Sequence, residues 1–135
     1  MPDGFAGGAR PSILVVEDEA ALLTLLRYNL EKQGFRVEEA TDGQEALLRI
    51  AESKPDLVLL DYELPELDGL EVIAALRGDA STRGIPVLLN SAARLSMDEI
   101  RRADGFLSKP FTDGLLHAMI ERVLDPSSSD PEQRS

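Results

Sequence analysis

The sequence predicts an α/β protein built on an open, doubly wound sheet of five parallel strands. Two observations point to this class. Short apolar runs recur along the chain, and most are continuous aliphatic stretches of the kind found in strands buried on both faces. Amphipathic stretches with helical spacing alternate with these runs, which favours βα units joined by right-handed crossovers. The length of 135 residues suits a single domain with one core.

The predicted strands are short, and polar residues follow most of them. The first strand, Ile13–Val16, runs directly into three acids. The second, "FRVEEA", alternates apolar and polar residues as a half-exposed strand does. The third, fourth and fifth are "DLVLLD", "IPVLLNSA" and "GFLS". Each strand precedes a helical stretch, so the pattern predicts five βα units.

Local signals mark the ends of the first, second, third and fifth helices. The first helix, "AALLTLLRYNLEKQG", is closed by Gly34. The second, "DGQEALLRIAES", has Asp42 and Glu45 in the spacing of a capping box. Asp68 is expected to cap "DGLEVIAALRG", and Thr112 to cap "TDGLLHAMIERVL". The leucine pairs of the first and last helices are assigned to the core.

The fourth helix is expected to be short or irregular. Its segment, "SMDEIRRA", has Ser96 and Glu99 in capping-box spacing, but Asp104 and Gly105 then end the helix. That leaves at most about two turns, a length that is marginal without packing against the rest of the protein.

Composition bounds the possible partners and location. With Lys+Arg at 14 and Asp+Glu at 25, the net charge is −11, which argues against direct binding of nucleic acid or anionic lipid. The absence of cysteine excludes disulfides, thiolate metal sites and thiol catalysis. No apolar run is long enough for a membrane span, and the N-terminus lacks a signal-peptide pattern, so a cytoplasmic location is expected. Residues 1–11 are expected to be flexible, 12–124 to form the domain, and 125–135 to be disordered.

The residues at the carboxyl ends of the strands are the candidates for function, because ligands of doubly wound sheets bind at that edge. Glu17 and Asp18 follow the first strand, Asp61 ends the third, Ser91 lies at the end of the fourth, and Lys109 follows the fifth. Any one of them is most simply a solvated charge at a strand end. Together they predict one site.

The chemistry of such a site follows from the residue types. Converging carboxylates need a cation, and carboxylate oxygens suit Mg²⁺, whereas a chain with no cysteine and one histidine is a poor zinc binder. A lysine beside them indicates that a further anion, such as a phosphoryl group, is bound there. Asp61 can then act as a nucleophile that forms an acyl phosphate, with Lys109 and Ser91 contacting the phosphoryl oxygens.

Four stretches, "ILVVEDE", "DLVLLDYELPELDGLE", "IPVLLNSA" and "FLSKPF", give the sequence a strong resemblance to a known family. Residues 12–124 resemble the receiver domains of bacterial two-component response regulators, which have a (βα)5 flavodoxin-like fold. The resemblance implies that Asp61 accepts a phosphoryl group from a histidine kinase or phosphotransfer protein. It further implies a signalling switch that catalyses only its own phosphotransfer and dephosphorylation.

The resemblance also assigns roles to the other site residues. Asp18 and Asp61 would hold Mg²⁺, with Glu17 in the inner or outer shell and the backbone carbonyl of Glu63 as a further ligand. Lys109 would pair with the phosphoryl group and be followed by a cis peptide bond to proline. The switch residues would be the hydroxyl of Ser91 and the aromatic ring of Phe106, although Phe106 equally fits an ordinary core position.

Three departures from the family pattern concern the packing of the fourth strand, the choice of phosphoryl donor with the lifetime of the acyl phosphate, and the output surface, respectively. Asn90 replaces a usually apolar residue, and Glu63 places an acid two residues after the phosphoacceptor. The stretch from Ser91 to Lys109 is short by roughly one helical turn. Because this shortening falls on the fourth helix, the chain is expected to remain a monomer and to change its affinity for a separate, unidentified output protein.

Two other functions stay open at this stage. A phosphorylation-independent interaction module would retain the receiver fold without its phosphorylation chemistry, but the complete set of acids with Ser91 and Lys109 argues against it. A phosphohydrolase resembling the haloacid dehalogenases would also use an aspartyl nucleophile and Mg²⁺. Such enzymes require a second aspartate two positions after the first, where this chain has Glu63, and 135 residues leave no room for a cap domain.

Overall fold

A computed structural model describes residues 10–125, and its five strands form one parallel sheet. The strands are β1 (Ser12–Val16), β2 (Arg36–Ala40), β3 (Leu57–Asp61), β4 (Val87–Ser91) and β5 (Gly105–Ser108). Their order in the sheet is β2-β1-β3-β4-β5, with every neighbouring pair parallel. The direction of winding reverses between β1 and β3, so a crevice opens at their carboxyl ends. The predicted fold class is confirmed.

Five helices cover the two faces of this sheet. They are α1 (Ala20–Lys32), α2 (Gly43–Ser53), α3 (Gly69–Arg77), α4 (Met97–Ile100) and α5 (Asp113–Leu124). One core cluster packs α1 and α5 on one face, and a second packs α2 and α3 on the other. Within residues 10–125, no helix has the length and apolar character that crossing a membrane requires.

The helix ends follow the sequence signals, with one difference. Gly34 takes the left-handed conformation (φ 102°) after α1, and Thr112 caps α5 by accepting from the amide of Leu115. Asp68 forms a reciprocal capping box at the start of α3. At α2 the predicted box is only half present, because Asp42 accepts from the Glu45 amide while the Glu45 carboxylate binds Thr41 instead.

Helix α4 has four residues, and none of them is buried. Ser96 and Glu99 form the reciprocal capping box that their spacing predicts, and turns then lead into β5. The predicted shortening of this helix is confirmed. The predicted terminal segments, 1–11 and 125–135, lie almost entirely outside the described residues.

Assigning whole leucine pairs to the core was wrong. In α1, Leu23 and Leu26 are buried, but Leu25 is 54% exposed; in α5, Leu116 is buried and Leu115 is 49% exposed. Consecutive helical residues point about 100° apart, so only one member of each pair faces the sheet directly.

Candidate functional site

Three carboxylates meet in the crevice between β1 and β3. Val16 is in register with Leu60, so the residues that follow them, Glu17 and Asp61, emerge side by side. Glu17, Asp18 and Asp61 each offer an oxygen within 4.8 Å of the others. Glu17 and Asp61 are both only 2% exposed, whereas Asp18 lies exposed at the mouth of the crevice. The sheet topology thus brings together the acids that the sequence singles out.

Lys109 reaches this acidic pocket from the end of β5. Its ammonium nitrogen lies 3.2 Å from Glu17 Oε1 and 3.2 Å from Asp61 Oδ2. Its backbone amide donates to the carbonyl of Ser91 at 2.9 Å, which extends the pairing of β4 with β5 by one residue. The peptide bond to Pro110 is cis, as the resemblance implies. One lysine therefore faces at least two buried carboxylates.

Backbone amides fix the orientation of the two buried acids. Asp61 Oδ1 accepts from the amide of Glu63 at 3.2 Å, so both of its oxygens are engaged. Glu17 Oε2 accepts from the amide of Glu19 at 3.1 Å while Oε1 contacts Lys109. These contacts point one edge of each carboxylate toward the crevice.

The electrostatics of the pocket indicate an excess of negative charge. Burial, followed by the charge of Glu17 and the contact with Glu63, raises the pKa of Asp61 to about 7 although Lys109 opposes the rise. Burial alone would lower the pKa of Lys109, but the charges of Asp61 and Glu17 outweigh it and raise that pKa. A single ammonium does not offset the acids, and an added cation would relieve their repulsion.

The donor set suits a hard divalent cation such as Mg²⁺. Its oxygens come from three carboxylates, which are hard ligands of the kind this ion prefers. The pocket lies partly open at Asp18, which leaves room for the water molecules that Mg²⁺ usually keeps.

Ser91 lies beside the pocket at the end of β4, where the side chain of Glu63 holds it. The Ser91 hydroxyl donates to Glu63 Oε2 at 2.8 Å, and the amide of Ala93 donates to the same oxygen at 2.9 Å. Burial alone would raise the pKa of the Glu63 carboxyl, but the hydrogen bonds from Ser91, Asp61 and Ala93 outweigh it and lower that pKa.

The sequence analysis assigned the backbone carbonyl of Glu63 to the metal and noted its acid near the phosphoacceptor, but it did not predict this contact of the side chain with Ser91. A usable signal was present in the sheet order: Asp61 pairs with Asn90, so the loops that follow β3 and β4 must run side by side. An acid two residues after Asp61 can then reach a hydroxyl one residue after Asn90.

The remaining two predicted positions differ in their surroundings. Phe106 is half-buried in β5 and packs against the core cluster on the α2 and α3 face. Asn90 is 2% exposed and donates to the carbonyl of Leu60 at 3.2 Å, while its Oδ1 has no hydrogen-bond partner among residues 10–125. Strand β4 pairs with both neighbours despite this polar residue.

Comparison with known proteins supports the same interpretation. Residues 13–121 match the family model for the response regulator receiver domain. The chain is 40% identical over 116 residues to the alkaline phosphatase synthesis transcriptional regulatory protein PhoP of Bacillus subtilis, an alignment that covers 83% of this chain and 48% of PhoP. The chain spans about half the length of the curated relatives it matches.

Solved structures with the same fold include receiver domains. A sensor protein from Polaromonas sp. JS666 superposes with a TM-score of 0.81 at 31% identity, covering 87% of this chain and 98% of that one. The receiver domain of sensor histidine kinase PA1611 from Pseudomonas aeruginosa gives 0.77 at 29% identity, covering 86% and 98%. That receiver domain was solved with a magnesium ion coordinated in its active-site cleft.

Proposed function

Because the chain belongs to the family of response regulator receiver domains, we propose that it is a signalling switch controlled by phosphorylation of Asp61. The phosphoryl donor would be a histidine kinase or a phosphotransfer protein. The observation that carries this proposal is the buried carboxylate of Asp61, flanked by two further acids and by Lys109 at 3.2 Å. A cytoplasmic location belongs to the same proposal.

The pocket supports a simple phosphotransfer. A carboxylate oxygen of Asp61 bonds to phosphorus as the phosphorus–nitrogen bond of a phosphohistidine breaks, and the electron pair returns to the imidazole. Lys109 already contacts Asp61 Oδ2, so its ammonium is positioned to pair with the transferred group. The chain would catalyse only this transfer and the later loss of the phosphoryl group.

Glu17, Asp18, Asp61 and the backbone carbonyl of Glu63 would hold Mg²⁺. When bound, the ion supplies positive charge that offsets the acids and the phosphoryl oxygens. The acids would contribute oxygen ligands, and Lys109, 3.2 Å from both Glu17 and Asp61, supplies further positive charge.

Ser91 and Phe106 would transmit the effect of Asp61 phosphorylation to the neighbouring surface. After phosphorylation the Ser91 hydroxyl would donate to a phosphoryl oxygen, and the half-buried ring of Phe106 would adjust its packing on the α3 face. Ser91 directly precedes the segment 92–104, and Phe106 lies two residues after it; the segment lies wholly within the described chain and has no buried residue. We infer that this surface changes its affinity for a separate output protein.

The short α4 favours a monomer as the active form. A symmetric dimer through α4, β5 and α5 would need a longer helical surface than four residues supply. Light scattering on the protein treated with beryllofluoride and Mg²⁺ should therefore report the monomer mass. A tight activated dimer whose interface includes α4 would contradict this part of the proposal.

Acetyl phosphate tests the proposed chemistry directly. With Mg²⁺ present, intact mass should show one phosphoryl group on the wild-type chain and none on Asp61→Asn, because the amide is a poor nucleophile. A fully phosphorylated Asn variant would contradict the assignment of Asp61. A wild-type chain that stays unmodified but binds a partner would favour the interaction module, and turnover of phosphate monoesters would favour the phosphohydrolase.

A further inference from the structure

The Glu63 side chain bridges two loops that phosphorylation is proposed to affect. It starts from the loop after β3, two residues beyond Asp61, and reaches the loop after β4. There one oxygen, Oε2, accepts from the Ser91 hydroxyl at 2.8 Å and from the Ala93 amide at 2.9 Å. A hydroxyl and a backbone amide that converge on one anionic oxygen are donors that a phosphoryl oxygen would also accept from.

We propose that Glu63 is a positioning residue whose carboxylate keeps the Ser91 hydroxyl engaged until a phosphoryl group on Asp61 takes over that hydrogen bond. We call this contact of Glu63 with Ser91 and Ala93 the carboxylate latch. The inference rests on the proposed function, since it concerns the hydroxyl that would contact the phosphoryl group on Asp61.

Competition for a single proton makes the two contacts exclusive. The Ser91 hydroxyl has one hydrogen to donate, so it cannot serve Glu63 and a phosphoryl oxygen at once. The latch therefore opposes the proposed active arrangement by the strength of its own hydrogen bonds. It also keeps the start of the 92–104 segment tied to the loop after β3.

A phosphoryl group on Asp61 should displace the Glu63 carboxylate from its contacts with Ser91 and Ala93. Glu63 is exposed, so its carboxylate can swing into water at little desolvation cost. A phosphoryl group on Asp61 would place a second anion close to Glu63, and like charges repel. Meanwhile the Glu63 amide donates to Asp61 Oδ1 at 3.2 Å, so the backbone of the latch stays in place while its side chain leaves.

Beryllofluoride with Mg²⁺ is a suitable probe, titrated against the full chain and followed by the amide resonances of residues 91–93. Removing the acceptor in Glu63→Ala should tighten beryllofluoride binding about fivefold, the equivalent of one net hydrogen bond. Glu63→Gln, whose amide oxygen still accepts but carries no charge, should fall between that variant and wild type. The matched control is Glu66→Gln, which removes an exposed carboxylate from the same loop.

A double-mutant cycle separates the latch from a general charge effect. If Glu63 acts through Ser91, the increase in beryllofluoride affinity caused by Glu63→Ala should largely disappear when Ser91 is also replaced by alanine. The Ala93 amide donates both to Glu63 Oε2 and to Ser91 Oγ, each at 2.9 Å, so before beryllofluoride is added it should exchange with solvent fastest in the variant that lacks both acceptors. A role confined to stability would leave beryllofluoride affinity unchanged.

The possible failures are distinguishable. Wild-type protein that binds beryllofluoride at Asp61 while Glu63→Ala binds no more tightly than Glu66→Gln would overturn the latch alone. The latch would also be overturned if Glu63→Ala increased beryllofluoride affinity just as much in the Ser91→Ala background. Wild-type protein that fails to bind beryllofluoride would overturn the proposed function and the latch with it.

Discussion

The acidic pocket and the 92–104 segment lie next to each other but are held in different ways. Glu17 and Asp61 are each 2% exposed; Glu17 follows β1 and Asp61 is the last residue of β3, and all five residues of each strand are buried. The 92–104 segment, described in full, has no buried residue, and its helix has only four residues. The groups proposed for chemistry are thus fixed by the core, while the proposed output surface depends on weak contacts and can respond to small changes.

Polar contacts tie this exposed segment to the sheet at both of its ends. At the start, Glu63 holds Ser91 and Ala93. At the end, Asp104 Oδ2 accepts from the amide of Val87 at 2.7 Å and pairs with Arg77 at 2.8 Å. Between these ties, Leu95 and Ala103 are among the few apolar side chains that pack against the core. A change at either tie is therefore expected to affect the segment before it affects the sheet.

Replacing Lys109 should have the largest effect, because it removes the only cation within 4 Å of Asp61 among the described residues. We expect Lys109→Ala to weaken beryllofluoride binding by about 10- to 100-fold, as the loss of a charge-assisted hydrogen bond would. Affinity for Mg²⁺ should largely remain, since the lysine is proposed to contact the phosphoryl group and not the metal. Calorimetric titrations with each ligand check both statements. A variant that accepts phosphate and binds its partner normally would show that the role is wrong.

Asp61→Asn should stabilise the metal-free protein at alkaline pH. The folded-state pKa of Asp61, about 7, lies above its usual 3.8, so between these values the folded protein holds a proton that the unfolded chain has lost. The contribution of Asp61 to the free energy of unfolding is therefore fully present below about pH 4 and is lost as the pH rises through 7. We expect the Asn variant to gain about 1–2 kcal/mol at pH 8, after allowance for solvent screening, and little at pH 4.

Urea denaturation of both proteins at several pH values measures this difference. Asp98→Asn is a suitable control, because its side chain is 89% exposed and pairs with Arg101, not with a residue of the pocket. If the free energy of unfolding of Asp61→Asn rose by the same amount at every pH, charge repulsion in the pocket would not be the source of the added stability.

Magnesium should stabilise the fold by a smaller amount. An ion that binds only the native state stabilises it by mass action, about 1 kcal/mol at a concentration five times the dissociation constant. Millimolar Mg²⁺ should raise the unfolding midpoint at low salt, and Asp18→Ala should blunt the rise because it removes the exposed ligand. A midpoint that does not respond to Mg²⁺ would count against a metal site in the crevice.

Sequence patterns predicted the pocket better than they predicted the contacts around it. Glu17 and Asp61 could be placed together because parallel strands end at one edge of a sheet. The end of α4 was predicted less well, because the helix stops at Ile100 and turns occupy the residues up to Asp104, where the sequence predicts its end.

The sheet order places Glu63 near Ser91, but the hydrogen bond itself could not be predicted, since it depends on a side-chain rotamer and on the distance between two loops whose contacting residues are 28 positions apart. The exposure of Leu25 was missed for a related reason: it depends on the rotation of α1 about its axis.

The smallest expected effect comes from the helix caps, and it tests the comparison between the two regions. Asp68 and Ser96 form the same reciprocal capping box, the first on α3, which has five buried residues, and the second on α4, which has none. Asp68→Ala should lower the free energy of unfolding by about 1 kcal/mol, because the core depends on α3. Ser96→Ala should lower it by less than about 0.5 kcal/mol, since α4 can fray without disturbing the sheet, and should instead speed amide exchange within 97–103. Denaturation and hydrogen exchange on both variants measure the contrast, and equal losses of global stability would mean that the 92–104 segment is held as firmly as the core.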